Sequence, residues 1–228
     1  TLFRSKSTLF NALTKSKNAQ AANFPFCTIE PNIGVVTVPD ERLEKLSNIA
    51  KSEKIIPTYI TFVDIAGLVA GASKGEGLGN KFLANIREVD AVIHMLRCFD
   101  SSEIQNVNKT VDPIRDLETV ETEMMISDLE SVEKRLSQKK NKNNESNKDA
   151  FEILEYVYES LKNGVRPEKL EEKFDKKLIK NLGILSTKPR ILVCNVDENS
   201  VSSGNNYSDK IKEKFKNDTE ITGYLSVY

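Results

Sequence analysis

The stretch "TLFRSKSTLFNALT", residues 1–14, places Lys-Ser-Thr directly before an apolar helical pattern. In loops that cradle nucleotide phosphates, a lysine reaches the outer phosphates and the next hydroxyl binds Mg²⁺. Amides at the start of the following helix hold the phosphate oxygens. Lys6, Ser7 and Thr8 supply these residue types, and the pattern from Thr8 to Lys15 predicts a helix. The stretch is therefore a candidate nucleotide-binding loop.

The front half of this loop departs from the usual pattern. Ser5 occupies the position where the loop needs a glycine, and Phe3 and Arg4 are bulky. The first glycine of the pattern, and the strand that feeds the loop, would lie before Thr1. We keep Arg4 and Ser5, together with residues 6–8, as candidate nucleotide-contacting residues.

A second motif lies in "TYITFVDIAG", residues 58–67, which predicts a strand that ends in Asp-x-x-Gly. This arrangement suits a carboxylate, Asp64, linked through water to Mg²⁺, beside a Gly67 amide that faces the γ-phosphate. Leu68 stands where many GTPases carry the glutamine that orients the attacking water, and an aliphatic side chain cannot polarise water. Five glycines from Gly67 to Gly79 predict a mobile segment able to order around a ligand. Asp64 is therefore a candidate metal ligand, and Gly67 and Leu68 are candidate catalytic positions.

The segment "NFPFCTIEPNIG", residues 23–34, enters the next predicted strand. Taken alone, it is typical of an ordinary proline-containing loop. Beside a phosphate loop, Thr28 becomes the candidate switch threonine, whose hydroxyl completes the Mg²⁺ shell and whose amide senses the γ-phosphate.

Near the end of the chain, "ILVCNVDE" resembles the base-recognition motif Asn-Lys-x-Asp of GTPases. Asn195 keeps the first position, Val196 replaces the lysine and Glu198 replaces the aspartate. The longer carboxylate is misplaced for guanine, and adenine lacks the pair of donors that the aspartate would bind. The pattern therefore weakens the preference for GTP and leaves room for ATP.

Short runs rich in valine and isoleucine, bounded by turn residues, predict strands, and helical patterns lie between them. The runs that predict strands are residues 33–38, 58–67, 90–99 and 190–196, and the helical patterns are residues 8–15, 42–51 and 81–88. Alternating strands and helices predict an α/β fold with a largely parallel sheet covered on both faces.

The middle of the chain has a different pattern. From residue 113 to about 138, apolar residues recur every three or four positions, and a polar turn at 139–149 leads to a second helical stretch at 150–163. A third helical stretch runs to about residue 182. We predict a helical coiled-coil hairpin, residues 111–184, inserted into a nucleotide-binding domain formed by residues 1–110 and 185–228. Packing within the chain is the simpler role for the hairpin, and a docking arm for a large partner is the alternative.

Composition excludes several classes of protein. With 33 basic and 34 acidic side chains, the net charge is −1, so no bulk attraction to nucleic acid and no sequence-specific DNA binding are expected. Three isolated cysteines and one histidine indicate neither a disulfide framework nor a zinc site. No apolar run is long enough for a membrane span, and residues 1–4 do not resemble a secretory signal. We expect a reduced, soluble, cytoplasmic protein.

Five motifs occur in the order and spacing of one known family: "KSTLFNALT", "AANFPFCTIEPN", "FVDIAGLVAGASKGEGLGN", "RCF" and "NVDE". On these motifs the chain resembles the Obg-like ATPases, the YchF branch of the Obg-related P-loop proteins, over about residues 6–210. The resemblance implies a GTPase-like α/β domain, a coiled-coil insertion and a C-terminal TGS-type domain. It also implies ATP in preference to GTP, a hydrophobic residue in place of the catalytic glutamine, and a role on either ribosomal subunit in translation or stress.

The resemblance also implies roles for single residues. Lys6, Ser7 and Thr8 hold phosphates, Ser7 and Thr28 bind Mg²⁺, Asp64 and Gly67 form the switch, and Asn195 with the backbone of Val196 meets the adenine edge. The sequence ends at "TEITGYLSVY", where another core strand should begin. We therefore expect the final strand–helix unit and the TGS-type domain to be absent.

Three functions stay open at this point. The first is an ATP-binding, slowly hydrolysing switch protein with Mg²⁺ as its cofactor. The second is a helical-arm module that binds the ribosome without nucleotide turnover, as the altered loop would favour. The third is an inactive remnant that folds poorly, because a sheet without its first strand exposes unpaired edges.

Overall fold

The computed structural model describes residues 2–15, 31–65, 78–100, 110–139, 148–167, 170–216 and 222–225. The chain divides into two compact units, residues 1–66 and 67–228. The first unit contains α1 (Leu2–Thr14), β1 (Asn32–Thr37), α2 (Glu41–Ala50) and β2 (Tyr59–Asp64). The second contains α3 (Leu78–Glu88), β3 (Val92–Arg97), α4 (Pro113–Lys139), α5 (Lys148–Lys162), α6 (Leu170–Lys173), α7 (Lys176–Leu182), β4 (Arg190–Asn195), a short 3₁₀ helix (Glu198–Ser200), α8 (Asn206–Lys214) and β5 (Thr222–Leu225).

The first unit is built on the pairing of β1 with β2, whose register runs from Asn32 opposite Asp64 to Thr37 opposite Tyr59. These two strands are antiparallel, so they are an exception to the parallel pairing that the strand–helix alternation predicts. Helix α1 packs against both strands.

Gly34 permits this close packing of α1 on β1. A Cβ atom at this position would lie 3.1 Å from Cζ of Phe10 and would collide with the Thr14 side chain. Phe10 is buried in the same contact. A residue without a side chain is therefore needed where the helix crosses the strand.

Helix α1 begins earlier than the sequence pattern predicts. The prediction of a helix from Thr8 is wrong at its start, because the structure has helix from Leu2 onward. Arg4, Ser5, Lys6 and Ser7 therefore belong to the helix and not to an open loop. Residues 2–6 contain neither glycine nor proline, and leucine, arginine and lysine are good helix formers.

The second unit contains a parallel sheet in the order β3-β4-β5. The expectation that the last core strand is absent is wrong, because residues 222–225 form β5 beside β4. Four residues that include a glycine give only a weak strand signal in the sequence. Cys98 and Cys194 are free thiols buried in the core of this unit.

Two apolar clusters hold the second unit together. One packs β3 and β4 against the first turns of α4 and against α8, and its buried members are Leu96, Cys98, Leu117, Leu192, Cys194, Val196 and Ile211. The other joins α4, α5 and α7, and its buried members are Val132, Ile153, Leu154, Val157, Leu161, Leu170, Ile179 and Ile184. The predicted helices at 113–138 and 150–163 are confirmed to within two residues, and the third helical stretch is two short helices. The predicted domain limits stay a prediction.

Asp128 joins α4 to the segment that leads into β4. Its carboxylate is 1% exposed and accepts hydrogen bonds from the backbone N–H groups of Leu185 (3.0 Å) and Ser186 (2.7 Å). The guanidinium of Arg87, on α3, lies 3.9 Å from the same carboxylate and also donates to Ser127 Oγ. One buried acid therefore ties together α3, α4 and the approach to β4. Burial raises the pKa of Asp128, although these partners act in the opposite direction.

Within the described ranges, no helix is both long enough and apolar enough to cross a membrane.

Candidate functional site

Two of the predicted metal-binding residues, Ser7 and Asp64, contact each other directly. Ser7 Oγ donates a hydrogen bond of 2.7 Å to Asp64 Oδ2, across 57 positions in the sequence. Each side chain is 6% exposed. Helix α1 supplies the hydroxyl and the last residue of β2 supplies the carboxylate, so the packing of α1 on the sheet brings the pair together.

Lys6 precedes Ser7 on the same turn of α1. Burial lowers the pKa of the Lys6 ammonium, and the charge of Asp64 acts in the opposite direction. A charged group with little water around it interacts strongly with an anion that replaces that water. Thr8, the next predicted phosphate contact, is half-buried on the same helix.

The chemistry of this group suits Mg²⁺. A hydroxyl and a carboxylate offer hard oxygen atoms, and Mg²⁺ is usually held by one or two protein oxygens together with waters and substrate phosphates. Among the residues that the structure describes, no group of three or more histidine, cysteine, aspartate or glutamate side chains could hold a metal ion. Ser7 and Asp64 fit a site at which the protein supplies few ligands and a nucleotide supplies the others.

The predicted base-recognition residues lie at the carboxyl end of β4. Asn195 is the last residue of this strand and is buried, and Val196 after it is 1% exposed. The Cys98 N–H donates to the Asn195 carbonyl at 2.8 Å, which extends the β3–β4 pairing beyond β3. Glu198 is exposed in the short 3₁₀ helix. The structure therefore buries Asn195 and Val196 side by side and leaves Glu198 at the surface.

The cap of α8 supports the same edge of the sheet, and its residues were not among the predicted site residues. Asn205 Nδ2 donates to the Cys98 carbonyl at 2.7 Å, while Asn205 Oδ1 accepts from the N–H groups of Tyr207 and Ser208. The Tyr207 hydroxyl donates to Asp100 Oδ2 at 2.7 Å. The available signal was the Asn-x-x-Ser pattern of a capping box at residues 205–208, directly before a helical pattern.

Arg97, the last residue of β3, was also missed as a candidate. It is 4% exposed, and its Nε donates to the Phe99 carbonyl at 3.0 Å. The sequence signal for a functional role was an arginine at the end of an apolar strand. The motif "RCF" contributes to the family resemblance, but it did not lead to a prediction for Arg97.

The remaining candidate residues stay predictions. Thr28, Gly67 and Leu68 lie outside the described residues. Arg4 and Ser5 lie within α1, and only their backbone is described.

Comparison with known proteins links this chain to GTPase-like proteins. A family model described as "50S ribosome-binding GTPase" matches residues 6–131. The "Ribosome-binding ATPase YchF" of Bacillus subtilis is 48% identical over 216 residues, which cover 91% of this chain and 58% of that protein. The protein of the same name from Mycoplasma genitalium is 44% identical over 226 residues, which cover 97% of this chain and 61% of that protein. This chain thus spans about three fifths of the length of these relatives.

A solved structure, that of the Schizosaccharomyces pombe YchF GTPase, has a similar fold. It matches with a TM-score of 0.70 and 37% sequence identity, and the match covers 98% of this chain and 62% of that chain. The predicted α/β, P-loop GTPase-like fold class and the resemblance to the YchF branch are both confirmed.

Proposed function

The chain belongs to the 50S ribosome-binding GTPase family, and from that premise we propose that it is an ATP-binding, slowly hydrolysing switch protein that associates with the ribosome. The observation that carries the proposal is the buried hydrogen bond of 2.7 Å between Ser7 and Asp64. Relatives named ribosome-binding ATPases support both the nucleotide and the ribosomal partner. A ribosomal partner also supports the cytoplasm as the place of action.

In this proposal, Ser7 and Asp64 hold Mg²⁺, and Thr28 completes the set of protein ligands. When bound, the metal neutralises charge on the β- and γ-phosphate oxygens. Lys6, which is half-buried and attracted by the charge of Asp64, contributes a further positive charge. Arg4, Ser5 and Thr8 complete the proposed phosphate contacts of α1.

The preference for ATP rests on the base-recognition end. Asn195 and the backbone of Val196 are the proposed contacts to the adenine edge, and both residues are buried at the carboxyl end of β4. Guanine recognition needs a carboxylate placed to accept hydrogen bonds from the base, and Glu198 stands where GTPases carry the shorter aspartate. The longer side chain misplaces the carboxylate for guanine, which supports ATP over GTP.

Slow hydrolysis follows from the residue after the switch glycine. Leu68 cannot polarise water, so no side chain at this position orients the nucleophile. In the proposed cycle, ATP orders Thr28 and Gly67 through contacts with the γ-phosphate, and hydrolysis releases them.

The helical pair α4–α5 is the proposed ribosome-binding arm. Its two helices pack through a continuous apolar cluster and therefore form a stable extension. The lysine- and asparagine-rich segment between them, residues 140–147, lies outside the described residues. Changing its lysines to glutamate should weaken co-sedimentation with ribosomes. Unchanged co-sedimentation would remove the arm from the proposal and leave nucleotide binding intact.

Calorimetric titration of the 228-residue chain with ATP and with GTP, in the presence of Mg²⁺, tests the nucleotide proposal. We expect ATP to bind more tightly than GTP. If a chain shown by circular dichroism to be folded bound neither nucleotide, the proposal would be wrong.

Replacing Ser7 by cysteine tests the metal contact more sharply. A thiolate is a poor ligand for Mg²⁺ and a good one for soft cations such as Cd²⁺. We expect Ser7→Cys to weaken Mg²⁺-dependent ATP binding and Cd²⁺ to restore it. Ser131→Cys, at a half-buried position on α4, is the matched control and should respond to neither metal. Equal responses of the two variants to Cd²⁺ would contradict a role for Ser7 at the metal.

A further inference from the structure

In the sequence, helix α3 follows the proposed switch. It begins at Leu78, eleven positions after Gly67, and ends at Glu88, so it is about 16 Å long. The side chains of Leu83 and Ile86 are each 3% exposed, which shows that the helix is well packed. A packed helix carries a displacement of its first turn to its last turn. What holds the last turn of α3 therefore decides where such a displacement goes.

Arg87, in the last turn of α3, holds this helix to α4 and to the segment 183–188, which lies between α7 and β4. Its Nη1 donates to the Gly183 carbonyl at 3.3 Å, and its Nη2 donates to Ser127 Oγ at 3.1 Å. The same guanidinium lies 3.9 Å from Asp128 Oδ1. Because the guanidinium is a planar fork of donors, one side chain reaches acceptors on both elements.

Lys188 holds the same end of α3 from the segment 183–188. Its Nζ donates to the carbonyls of Arg87 at 2.9 Å and of Val89 at 2.5 Å. The last carbonyls of a helix have no partner within the helix, and a cation beside them is favourable. The end of α3 is thus bound through its backbone as well as through Arg87.

Asp128 joins these contacts to the backbone of the same segment. Its carboxylate is 1% exposed and accepts from the N–H groups of Leu185 at 3.0 Å and Ser186 at 2.7 Å. A buried carboxylate depends strongly on every partner that it has. A movement of Arg87 therefore changes how firmly these two amides are held. We call Arg87, Asp128 and Lys188 the α3 anchor.

The α3 anchor has no part in the function proposed so far. We propose that Arg87 is a positioning residue that couples the proposed switch to the proposed ribosome-binding arm: order that ATP imposes at Gly67 passes along α3 and through Arg87 to Asp128 on α4. The proposal rests on the proposed function. Coupling between binding sites is reciprocal, so a partner bound to the arm would change the affinity for ATP through the same residue.

The test compares Arg87→Lys with a matched variant, Arg135→Lys. Lysine keeps the positive charge and loses the planar fork. Arg135, on α4, donates to the Leu182 carbonyl at 2.7 Å. That bond also joins α4 to the end of α7, but it does not involve α3.

The amides of Leu185 and Ser186 report directly on the α3 anchor, because both donate to Asp128. Their hydrogen exchange is measured without nucleotide and with saturating ATP and Mg²⁺, at concentrations fixed by calorimetry. In wild type and in Arg135→Lys, we expect ATP to slow this exchange by roughly fivefold or more, the lower end of usual coupling between sites. In Arg87→Lys, ATP should still bind, and the ratio of the two exchange rates should fall towards one. A purely structural role would speed exchange in both states and leave the ratio unchanged.

A ratio in Arg87→Lys equal to that of wild type would overturn the coupling role and leave the proposed function in place. A wild-type chain that bound ATP without slower exchange at Leu185 and Ser186 would do the same, as would an equal fall of the ratio in Arg135→Lys. Failure of the folded wild-type chain to bind either nucleotide would instead refute the proposed function.

If Arg87→Lys does not fold, Lys188→Met replaces it, because methionine keeps an unbranched side chain and removes the ammonium that holds the end of α3. The response to ATP should fall in this variant too. An unchanged response would overturn the coupling through the α3 anchor.

Discussion

The candidate phosphate-binding residues of the first unit and the candidate base-binding residues of the second unit are held in different ways. Ser7 and Asp64 meet through a side-chain hydrogen bond between α1 and β2. The carboxyl ends of β3 and β4 are held by backbone pairing, by the α8 cap and by Arg97. Removing any one of these bonds leaves the others in place.

The two units that carry these residues also differ in the size of their sheets and in how much apolar surface they bury. The first unit has a two-stranded sheet with Ile33 and Val35 more than half exposed, and α2 has no buried residue. The second has three parallel strands and two apolar clusters. A two-stranded pair alone is marginally stable. We therefore expect the first unit to open at a lower free energy than the second, so that the candidate phosphate-binding residues are the ones that a ligand must order.

The largest expected effect falls on the second unit. Asp128→Ala should lower the free energy of unfolding by about 3 kcal/mol, because it leaves two buried N–H groups and the Arg87 guanidinium without their shared acceptor. Denaturant titration measures this loss. Glu130→Ala, at an exposed position of α4, is the control and should change stability little. Equal losses in the two variants would show that Asp128 does not hold the second unit together.

The pH dependence of the Asp128 contribution follows from its raised pKa. Because the folded state holds the proton more tightly than the unfolded state, the stability from this linkage is fully present below the unfolded pKa of about 3.8. It is lost as the pH rises through the higher folded pKa. As the pH rises from the unfolded pKa through the folded pKa of Asp128, wild type should therefore lose unfolding free energy relative to Asp128→Asn. A constant difference would contradict the raised pKa.

An intermediate effect is expected in the first unit. Gly34→Ala should destabilise it by about 1–3 kcal/mol, because the new methyl group meets Thr14 and Phe10 where α1 crosses β1. Thr14→Ser removes the methyl group of the threonine and keeps the hydroxyl that donates to the Phe10 carbonyl.

Amide exchange resolves the two units in this experiment. In Gly34→Ala, amide exchange should accelerate in β1 and not in β4. The double variant Gly34→Ala/Thr14→Ser should regain much of the protection against exchange. Thr14→Ser alone is the control. Accelerated exchange in both strands would contradict separate stabilities for the two units.

The smallest effect is expected at the start of α2. Asp40 accepts from the Arg42 N–H at 3.0 Å, and the hydrogen bond from the Arg42 side chain lowers the pKa of Asp40 to about 2. The contribution of this cap is present above the unfolded pKa of 3.8 and is lost as the pH falls through about 2. Asp40→Ala removes the acceptor and should speed amide exchange only in the first turn of α2. Glu44→Gln in the same turn is the control, and equal changes in both would mean that the cap has no specific role.

The sequence predicts those parts of the fold that have a local signal. The valine- and isoleucine-rich runs that became β3 and β4 were located correctly, because buried parallel strands are short and continuously apolar. The start of α1 was misplaced, since the motif around Lys6 suggested a loop while the local residues favour a helix. A core strand was expected to begin within residues 219–228, but four residues carry too little pattern to predict the strand β5 that forms there.

The candidate site could be predicted only in part, because contacts between residues far apart in the sequence leave no local pattern. Motif order predicts that Ser7 and Asp64 meet at one metal. The structure shows that the two side chains contact each other, and their role at a metal stays a prediction. The bonds of Asp128 to Leu185 and Ser186 span 57 and 58 positions, so no local pattern indicates them. Arg97 was overlooked because its partner, the Phe99 carbonyl, is a backbone atom that every residue type supplies.

The position of Asp128 along α4 makes this helix a two-armed lever. About 23 Å of helix, at 1.5 Å per residue, lies between Pro113 and this pivot, and about 17 Å lies between the pivot and Lys139. If the helix moves as a rigid rod about Asp128, a displacement of its first turn reappears at its last turn in the opposite direction, with roughly three quarters of the amplitude. The first turn packs against β3 and β4 through Leu117. A shift at this sheet would thus reach the far end of α4 at roughly three quarters of its size and in the opposite direction.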